Sequence, residues 1–134
     1  MKRASILCLS AAAMVIAAAI PGVSHGALIN RGNGTIYDSD LNISWLQDAD
    51  YAKTSGYTST YYDRPDGYMN WYEANAWATN LVFAGYDDWR LPTAGGGSGY
   101  NINVGELGHL YYDELKGTAG ALASVSPFIN FTGG

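Results

Sequence analysis

The sequence predicts an α+β fold in which two helices pack on short, mostly antiparallel strands. Alternating apolar residues on both sides of a polar turn predict a β-hairpin within residues 34–46. Two segments that open with a capping-box pattern predict helices at about residues 71–83 and 104–115. A short strand is predicted between them at residues 89–91. The order of hairpin, helix, strand and helix is compatible with the α+β class.

The first 26 residues have the pattern of a secretory signal peptide. Lys2 and Arg3 provide a positive start, and an apolar, alanine-rich run follows. Ser24 and Gly26 place small residues at −3 and −1 of a cleavage site before Ala27. The apolar run is short for a membrane span, which needs roughly 20 residues; an uncleaved N-terminal anchor is the alternative. We therefore expect a secreted or cell-surface protein with no membrane insertion after cleavage.

Removal of the signal peptide limits the kinds of functional site that the exported chain can form. The single cysteine, Cys8, lies in the signal, which excludes cysteine nucleophiles, thiolate metal sites and disulfides from the exported chain. Loss of Lys2 and Arg3 leaves five basic residues against twelve acidic ones, a net charge of −7. Such a surface repels nucleic acid and anionic lipid. The domain is expected at residues 27–117, with a weakly patterned tail at 118–134.

The hairpin is predicted from strands at 35–37 and 43–46, joined by the polar turn Asp38-Ser-Asp-Leu-Asn42. Ile43 and Trp45 share one face, which we expect to meet the core. Asp38, Asp40 and Asn42 alternate as at the start of a calcium loop. However, Ile43 and Ala49 stand where an EF-hand needs glycine and glutamate. The pattern favours an Asx-stabilised turn, with calcium as the alternative.

Residues 51–68 are rich in tyrosine and follow neither a helical nor a strand period. Tyrosine supplies rigid, amphipathic contact area at low entropic cost, as binding loops do. The alternative is that the rings pack on the domain and only the hydroxyls meet water. The candidate ligand-binding residues are Tyr57, Tyr61, Tyr62 and Tyr68.

Each predicted helix begins at a capping box, Asn70 with Glu73 and Asn103 with Glu106. Glu73 is therefore expected to cap a helix and not to act as a catalytic acid. Gly85 is expected as the C-cap of the first helix, and Gly117 is expected to end the second. Helical and strand spacing predict a structural core that contains Trp45, Trp71, Trp77, Trp89, Leu91, Leu107 and Leu110.

A metal site is not predicted. His109 and Glu106 lie three residues apart on the second helix and can share a face. A metal or an acid–base pair there would need further ligands, and the only other histidine, His25, is in the signal. We expect no cofactor.

Three segments resemble the Lcl C-terminal domain family, a bacterial extracellular domain first named from a collagen-like adhesin. They are Gly-x-Ile-Tyr-Asp…Leu-x-Ile-x-Trp at 34–45, Trp-x-x-Ala-x-x-Trp-Ala at 71–78, and Trp-Arg-Leu-Pro-Thr at 89–93 with Glu-Leu-x-x-Leu at 106–110. These motifs are also similar to those of secreted bacterial variants that carry a PEP-CTERM sorting tail. Arg-Leu-Pro-Thr between two such helices looks like formylglycine-generating enzymes and, more loosely, C-type-lectin-like domains. The resemblance implies a C-type-lectin-like fold.

The chain departs from the family pattern at its end. Family members usually continue with a Tyr/Trp-Trp-Ser-rich strand region and a terminal Val-Arg, which do not follow Gly134. We therefore expect a fragment or truncated product whose sheet is incomplete at the C-terminus. An unpaired, partly apolar strand edge recruits other chains, so self-association is expected.

The resemblance implies cell-surface attachment and, in the adhesin that names the family, binding of sulfated glycosaminoglycans. The negative charge of this chain fits a neutral glycan or a protein surface better. We expect a non-catalytic binding or adhesion module. One alternative is a secreted hydrolase that uses carboxylates such as Asp87, Asp88 or Glu106, although adjacent strand residues point to opposite faces and cannot flank one bond. The other alternative is a purely structural envelope protein.

Overall fold

The computed structural model describes residues 26–97, 99, 102–118, 121 and 125–131. The predicted signal peptide, apart from Gly26, lies outside the described residues. The strands are β1 (Leu28–Asn30), β2 (Thr35–Asp38) and β3 (Ile43–Leu46). The helices are α1 (Tyr51–Thr54), α2 (Trp71–Thr79) and α3 (Glu106–Gly108), and α3 continues into a π-helix (His109–Glu114). A small antiparallel sheet with short helices confirms the α+β class.

The three strands form one antiparallel sheet in the order β1-β2-β3. The predicted hairpin is confirmed, with Ile36 opposite Trp45 and Asp38 opposite Ile43. The Asx-stabilised turn is also confirmed, because Oδ1 of Asp38 accepts hydrogen bonds from the backbone N–H of Asp40 (3.1 Å) and Leu41 (3.0 Å). Strand β1 was not predicted, because three residues are too few to show an alternation.

Helix α2 begins as predicted and ends earlier. The side chain of Asn70 accepts hydrogen bonds from the backbone of Tyr72 and Glu73, and the side chain of Glu73 accepts one from the backbone of Asn70, which completes the capping box. The helix stops at Thr79, so the prediction of Gly85 as its C-cap is wrong. Gly85 instead lies in a tight turn at positive φ (88°), between Phe83 and Tyr86. Glycine suits this left-handed backbone because it has no Cβ.

The second helix forms where it was predicted, but its start and its winding differ. Its N-cap is Gly105, without a side-chain hydrogen bond, so the predicted capping box of Asn103 and Glu106 is wrong. The backbone N–H of Leu115 donates to the carbonyl of Leu110 (2.9 Å), a five-residue spacing that defines a π-helix. This wider winding rotates side chains away from the stripe that an α-helical period predicts.

The segment 87–93 belongs to no strand, so the predicted strand at 89–91 is wrong. Hydrogen bonds to α3 hold it instead of a strand ladder. The backbone N–H of Leu107 donates to the carbonyl of Thr93 (3.2 Å), and the backbone N–H of Glu106 donates to the hydroxyl of Thr93 (3.1 Å).

Residues 127–130, predicted as part of a weakly patterned tail, pack beside β3. The backbone N–H of Ile129 donates to the carbonyl of Gln47 (2.9 Å), and the N–H of Ala49 donates to the carbonyl of Ile129 (3.0 Å). The side chain of Gln47 donates to the carbonyl of Pro127 (3.1 Å). This part of the predicted tail therefore joins the fold.

The buried apolar residues among those described are Ile36, Ala78 and Leu115. Five of the predicted core residues are half-buried: Trp45, Trp77, Trp89, Leu91 and Leu110. The other two are wrong as core residues, because Trp71 is 63% exposed and Leu107 is 51% exposed. Trp71 is the first residue of α2 and lies at the end of its apolar stripe. Leu107 precedes the π-helix, whose winding separates it from the face of Leu110.

None of the helices in the described part of the chain is long and apolar enough to cross a bilayer.

Candidate functional site

Five exposed aromatic residues lie around the end of the tyrosine-rich loop and the start of α2. We call this group the aromatic surface. Tyr61 is 72% exposed and Tyr72 is 79% exposed, and large exposed side chains of this kind are available to a partner. Ring centroids lie 4.8 Å apart for Tyr61 and Tyr62 and 5.9 Å apart for Tyr62 and Tyr68. The members of the aromatic surface are Tyr61, Tyr62, Tyr68, Trp71 and Tyr72.

Three of the four predicted binding tyrosines therefore come together, and one does not. Tyr57 is half-buried, and its ring packs edge-on against Trp77, with centroids 6.5 Å apart. Sequence reasoning missed Trp71 and Tyr72. Trp71 was assigned to the core because it falls on the apolar stripe, and the next residue, Tyr72, lies off that stripe. Two adjacent aromatic residues in the first turn of a helix point in different directions, so the sequence already indicated that at least one of them is exposed. The structure exposes both, with ring centroids 5.3 Å apart.

A single carboxylate holds the loop against α2. Oε1 of Glu73 accepts hydrogen bonds from the backbone N–H of Thr60 (2.8 Å) and of Tyr61 (3.1 Å). Oε2 of Glu73 accepts one from the hydroxyl of Ser59 (2.8 Å). Ser59 is buried, and its hydroxyl oxygen in turn accepts from the backbone N–H of Tyr61 (3.1 Å) and Tyr62 (2.9 Å). The backbone beneath Tyr61 and Tyr62 is thereby fixed.

The charge of Glu73 is set by these contacts. Burial by itself raises the pKa of the carboxyl. The hydrogen bonds from Ser59, Asn70, Thr60 and Tyr61 outweigh this and lower the pKa to about 2. Glu73 is therefore an ionised acceptor at neutral pH, and all of its hydrogen bonds are charge-assisted.

The far end of the loop is held by a second set of contacts. The guanidinium of Arg64 lies over the ring of Tyr68, 5.1 Å from its centroid, and also pairs with the carboxylate of Asp66. Gly67 has a positive φ (79°), and a Cβ at this position would lie 2.8 Å from the backbone nitrogen of Lys53. Only glycine allows this close approach of the loop to α1. Tyr68 is thus positioned from both sides.

The carboxylates considered for hydrolysis differ in their surroundings. Asp87 and Asp88 are exposed. Glu106 makes a forked ion pair with Arg90, with N–O distances of 2.7 Å and 2.5 Å, and accepts from the backbone N–H of Thr93 (2.9 Å). The hydrogen bonds from Arg90, opposed by burial, lower the pKa of Glu106 to about 2. Glu106 therefore anchors residues 90–93 to α3 and is unsuited to donate a proton near neutral pH.

The five predicted core residues that are half-buried line a cleft and are not enclosed in a core. The cleft has a volume of about 740 Å³. Its wall includes Trp45, Trp77, Trp89, Leu91 and Leu110. The indole N–H of Trp89 is buried and has no hydrogen-bond partner among the described residues.

The structure surrounds His109 with four carboxylates, two from its own helix and two from the end of β2 and the turn that follows it. We call Asp38, Asp40, His109, Asp113 and Glu114 the His109 cluster. Nδ1 of His109 lies 3.2 Å from Oδ2 of Asp113, and Nε2 lies 3.5 Å from Oε1 of Glu114 and 3.9 Å from Oδ2 of Asp40. Glu106, the predicted neighbour of His109, pairs with Arg90 instead.

The interior of this cluster consists of Asp38, His109 and Glu114, each of which offers one ligand atom within 4.8 Å of the others. Asp38 is fully buried, and the side chain of Glu114 is 9% exposed. Burial raises the pKa of Glu114, and the charges of Asp38 and Asp40 raise it further, against the opposing effect of His109 and Lys116. Histidine nitrogen and carboxylate oxygen are ligand types that divalent metals use in proteins.

Comparisons of the chain with protein-family models, with curated proteins and with solved structures found no match. The relation to the Lcl C-terminal domain family therefore stays a prediction that rests on the motifs in the sequence.

Proposed function

We propose that the protein is a secreted or cell-surface binding module, without catalytic activity, that recognises a neutral glycan through its aromatic surface. The observation that carries this proposal is the exposure of five aromatic side chains on a backbone that Glu73 and Ser59 hold in place. A partner molecule would cover this apolar area, which is otherwise left in water.

The anchored loop supports binding on entropic grounds. A flexible loop loses conformational freedom when it binds, at a cost of about 0.5–1.5 kcal/mol for each side chain that becomes ordered. Hydrogen bonds from the backbone of Thr60, Tyr61 and Tyr62 to Glu73 and Ser59 are made before any ligand arrives. Rigid tyrosine and tryptophan rings on such a backbone offer contact area at low entropic cost.

The net charge supports a neutral ligand. The chain carries twelve acidic residues against seven basic ones, and two of the basic residues belong to the predicted signal. A sulfated polysaccharide would need clustered positive charge. Beside the aromatic surface, Arg64 lies over the ring of Tyr68 and is already paired with Asp66. Sugar rings that stack on tyrosine and tryptophan need no such charge.

We place the domain, as part of the same proposal, in the Lcl C-terminal family with a C-type-lectin-like fold. The support is the order of the sequence motifs and the predicted signal peptide. Secretion and attachment at the cell surface follow from that assignment. The purely structural envelope role and the carboxylate-dependent hydrolase remain as alternatives that no contact in the described residues favours.

A glycan array with neutral, sialylated and sulfated members tests the proposal, followed by calorimetry on the best ligand. Tyr61→Ala, Tyr68→Ala and Trp71→Ala are each expected to weaken binding about tenfold, since aromatic anchors at an interface contribute more than about 1 kcal/mol. Tyr86→Ala is the matched control, because Tyr86 is also an exposed tyrosine but lies outside the aromatic surface.

Three results would contradict the proposal. One is that no glycan on the array binds, while a protein partner binds through the aromatic surface. Another is a preference for sulfated glycans. The third is turnover of a glycoside substrate that Glu106→Gln or Asp87→Asn abolishes, which would establish the hydrolase.

A further inference from the structure

We propose that Asp38, His109 and Glu114 bind one zinc ion, which links the β-hairpin to the π-helix. This site lies outside the aromatic surface and does not depend on the proposed function. Asp38 is the last residue of β2, whereas His109 and Glu114 are the first and last residues of the π-helix. The ion would therefore join two elements that are far apart in the sequence.

The positions of the ligand atoms suit a single ion. One atom from each of the three side chains lies within 4.8 Å of the other two. Zinc binds histidine nitrogen and carboxylate oxygen at about 2.0–2.2 Å, which puts tetrahedral ligand atoms about 3.4 Å apart. Side-chain adjustments on the order of 1 Å would bring the three ligands into that geometry. Asp40, with Oδ2 at 3.9 Å from Nε2 of His109, is placed to supply or to orient a fourth ligand.

The state of His109 points to a cation between the side chains. Its Nε2 is buried and has no hydrogen-bond partner among the described residues. Its Nδ1 lies 3.2 Å from a carboxylate oxygen of Asp113. Its Nε2 lies 3.5 Å from an oxygen of Glu114 and 3.9 Å from an oxygen of Asp40. Both distances from Nε2 are longer than a direct hydrogen bond, and a metal ion between this nitrogen and these oxygens would coordinate all three atoms.

Glu114 supplies a second, independent indication. Its side chain is 9% exposed, and its carboxylate accepts no hydrogen bond from any residue that the structure describes. Its Oε1 lies 3.5 Å from Nε2 of His109. A buried carboxylate is costly unless it is paired, hydrogen-bonded or bound to a metal. The carboxylate of Glu114 thus lies beside the same nitrogen, Nε2 of His109, that has no hydrogen-bond partner among the described residues.

The surroundings hold the proposed ligands in position. Metal-binding histidines usually donate the other ring N–H to a carboxylate, and Asp113 occupies that place. Asp113 is itself held by the side-chain amide of Asn103 (3.1 Å). The carboxylate of Asp38 accepts hydrogen bonds from the turn backbone through Oδ1 and from the indole N–H of Trp45 through Oδ2 (3.2 Å). A carboxylate offers about four lone-pair sites, two on each oxygen. Oδ1 accepts two hydrogen bonds and Oδ2 accepts one, so Oδ2 keeps one lone pair for a metal.

The chemistry of the ligands selects zinc among common divalent ions. Calcium takes six to eight oxygen ligands, and magnesium keeps most of its water. One imidazole and two carboxylates suit zinc, which accepts nitrogen and oxygen ligands in a four-coordinate site. The role would be structural, because the chain has one cysteine and so no internal disulfide. Small domains with few buried residues are commonly stabilised by a metal.

Calorimetry and native mass spectrometry on the purified, chelator-treated chain test the proposal, with ZnCl₂ as the probe and CaCl₂ and MnCl₂ in parallel. We expect one zinc per chain and a rise in Tm on zinc addition. His109→Gln and Glu114→Gln should abolish both effects, and Asp113→Asn should weaken zinc binding about 10–100-fold. Asp88→Asn removes the same charge from an exposed position and should leave zinc binding unchanged.

A measurement on the unmutated protein keeps the proposal testable where a variant fails to fold. The full chain has two histidines, His25 and His109, so its imidazole ¹⁵N spectrum is simple. Zinc should move the Nε2 resonance of His109 and leave its Nδ1 protonated. The proposal fails if that resonance does not move, if zinc uptake is equal in folded His109→Gln, or if calcium binds in preference to zinc. Loss of glycan binding alone would count against the proposed function and not against this site.

Discussion

The hydroxyl of Ser59 donates a 2.8 Å hydrogen bond to Oε2 of Glu73, and this contact joins the tyrosine-rich loop to the first turn of α2. The same carboxylate oxygen accepts from the backbone N–H of Asn70 (3.3 Å) and so also caps the helix. One side chain therefore sets both the start of a helix and the shape of the loop that carries three exposed tyrosines.

Ser59→Ala should loosen this loop. The change removes a buried hydroxyl that is bonded to a charged group, and such bonds contribute about 1.5–3 kcal/mol. Hydrogen–deuterium exchange should show faster exchange of the amides of Tyr61 and Tyr62, which donate to the Ser59 hydroxyl. Ser55→Ala is the control, because Ser55 is exposed, and it should change stability by less than about 0.5 kcal/mol. Equal protection in both variants would show that Ser59 does not hold the loop.

Asn70→Ala should destabilise the protein by about 1 kcal/mol, because its side chain accepts two of the first backbone N–H groups of α2. A loss of this size lowers Tm by about 4–8 °C in a domain of about 100 residues. Thermal melts followed by circular dichroism measure the effect. Asn75→Ala, inside the same helix, removes no cap and should leave Tm nearly unchanged. Equal losses in the two variants would be evidence against the cap.

Stability should fall as the pH is lowered from about 4.5 to about 2. The pKa values of Glu73 and Glu106 are each lowered from 4.5 to about 2 in the folded protein. A carboxyl with a lowered pKa contributes stability above its unfolded pKa and loses it as the pH falls through the folded pKa. Glu114, whose pKa is raised mainly by burial, acts in the opposite sense, at pH values above 4.5.

Urea melts at a series of pH values measure this dependence. Glu106→Gln removes one of the two carboxyls and should flatten the stability curve between pH 4.5 and 2. A variant whose curve keeps the full slope would show that the ion pair of Arg90 and Glu106 does not contribute to folding.

Ile36→Ala and Trp71→Ala should differ strongly in their effect on the free energy of unfolding. Ile36 is fully buried in β2, so its truncation should cost about 2–5 kcal/mol. Trp71 is 63% exposed, so its truncation should cost less than about 0.5 kcal/mol despite the larger side chain. Chemical denaturation of both variants measures the two losses in the free energy of unfolding. If Trp71 belonged to the core, Trp71→Ala would cost more than Ile36→Ala.

Export should remove the first 26 residues. The positive start, the apolar run and the small residues Ser24 and Gly26 predict cleavage before Ala27. Intact-mass spectrometry of secreted material should show a chain that begins at Ala27. Secreted protein that retains Met1 would contradict the cleavage.

Local signals in the sequence predicted the elements whose contacts are local. The hairpin of β2 and β3 was predicted by alternation on both sides of a polar turn, and the turn itself by Asp38, whose side chain bonds to the backbone two and three residues later. The start of α2 followed from Asn70 and Glu73, three residues apart. Each of these features depends on residues within a short stretch of chain. Strand β1 and helix α1 were not predicted, because they are too short to show a period.

The errors lie where distant residues compete with local preference. Asn103 and Glu106 have the spacing of a capping box, but Arg90 and Thr93 engage Glu106, and Asp113 engages Asn103. The apolar stripe placed Trp71 and Leu107 inside, because a period of 3.6 residues assumes an α-helix of full length and even winding. Trp71 is the first residue of α2 and lies at the end of the stripe, and a π-helix replaces the α-helical period after Gly108.

The sequence by itself determined the α+β class, the hairpin and its Asx turn, the capped start of α2, and the tyrosines that form most of the aromatic surface. Only the tertiary structure decided that Glu73 anchors the loop, that Trp71 is exposed, and that Asp38 lies beside His109. The physical reason is distance along the chain. Propensity, capping and turn chemistry act over a few residues, whereas a charged side chain pairs with whichever partner the fold brings within about 3–4 Å.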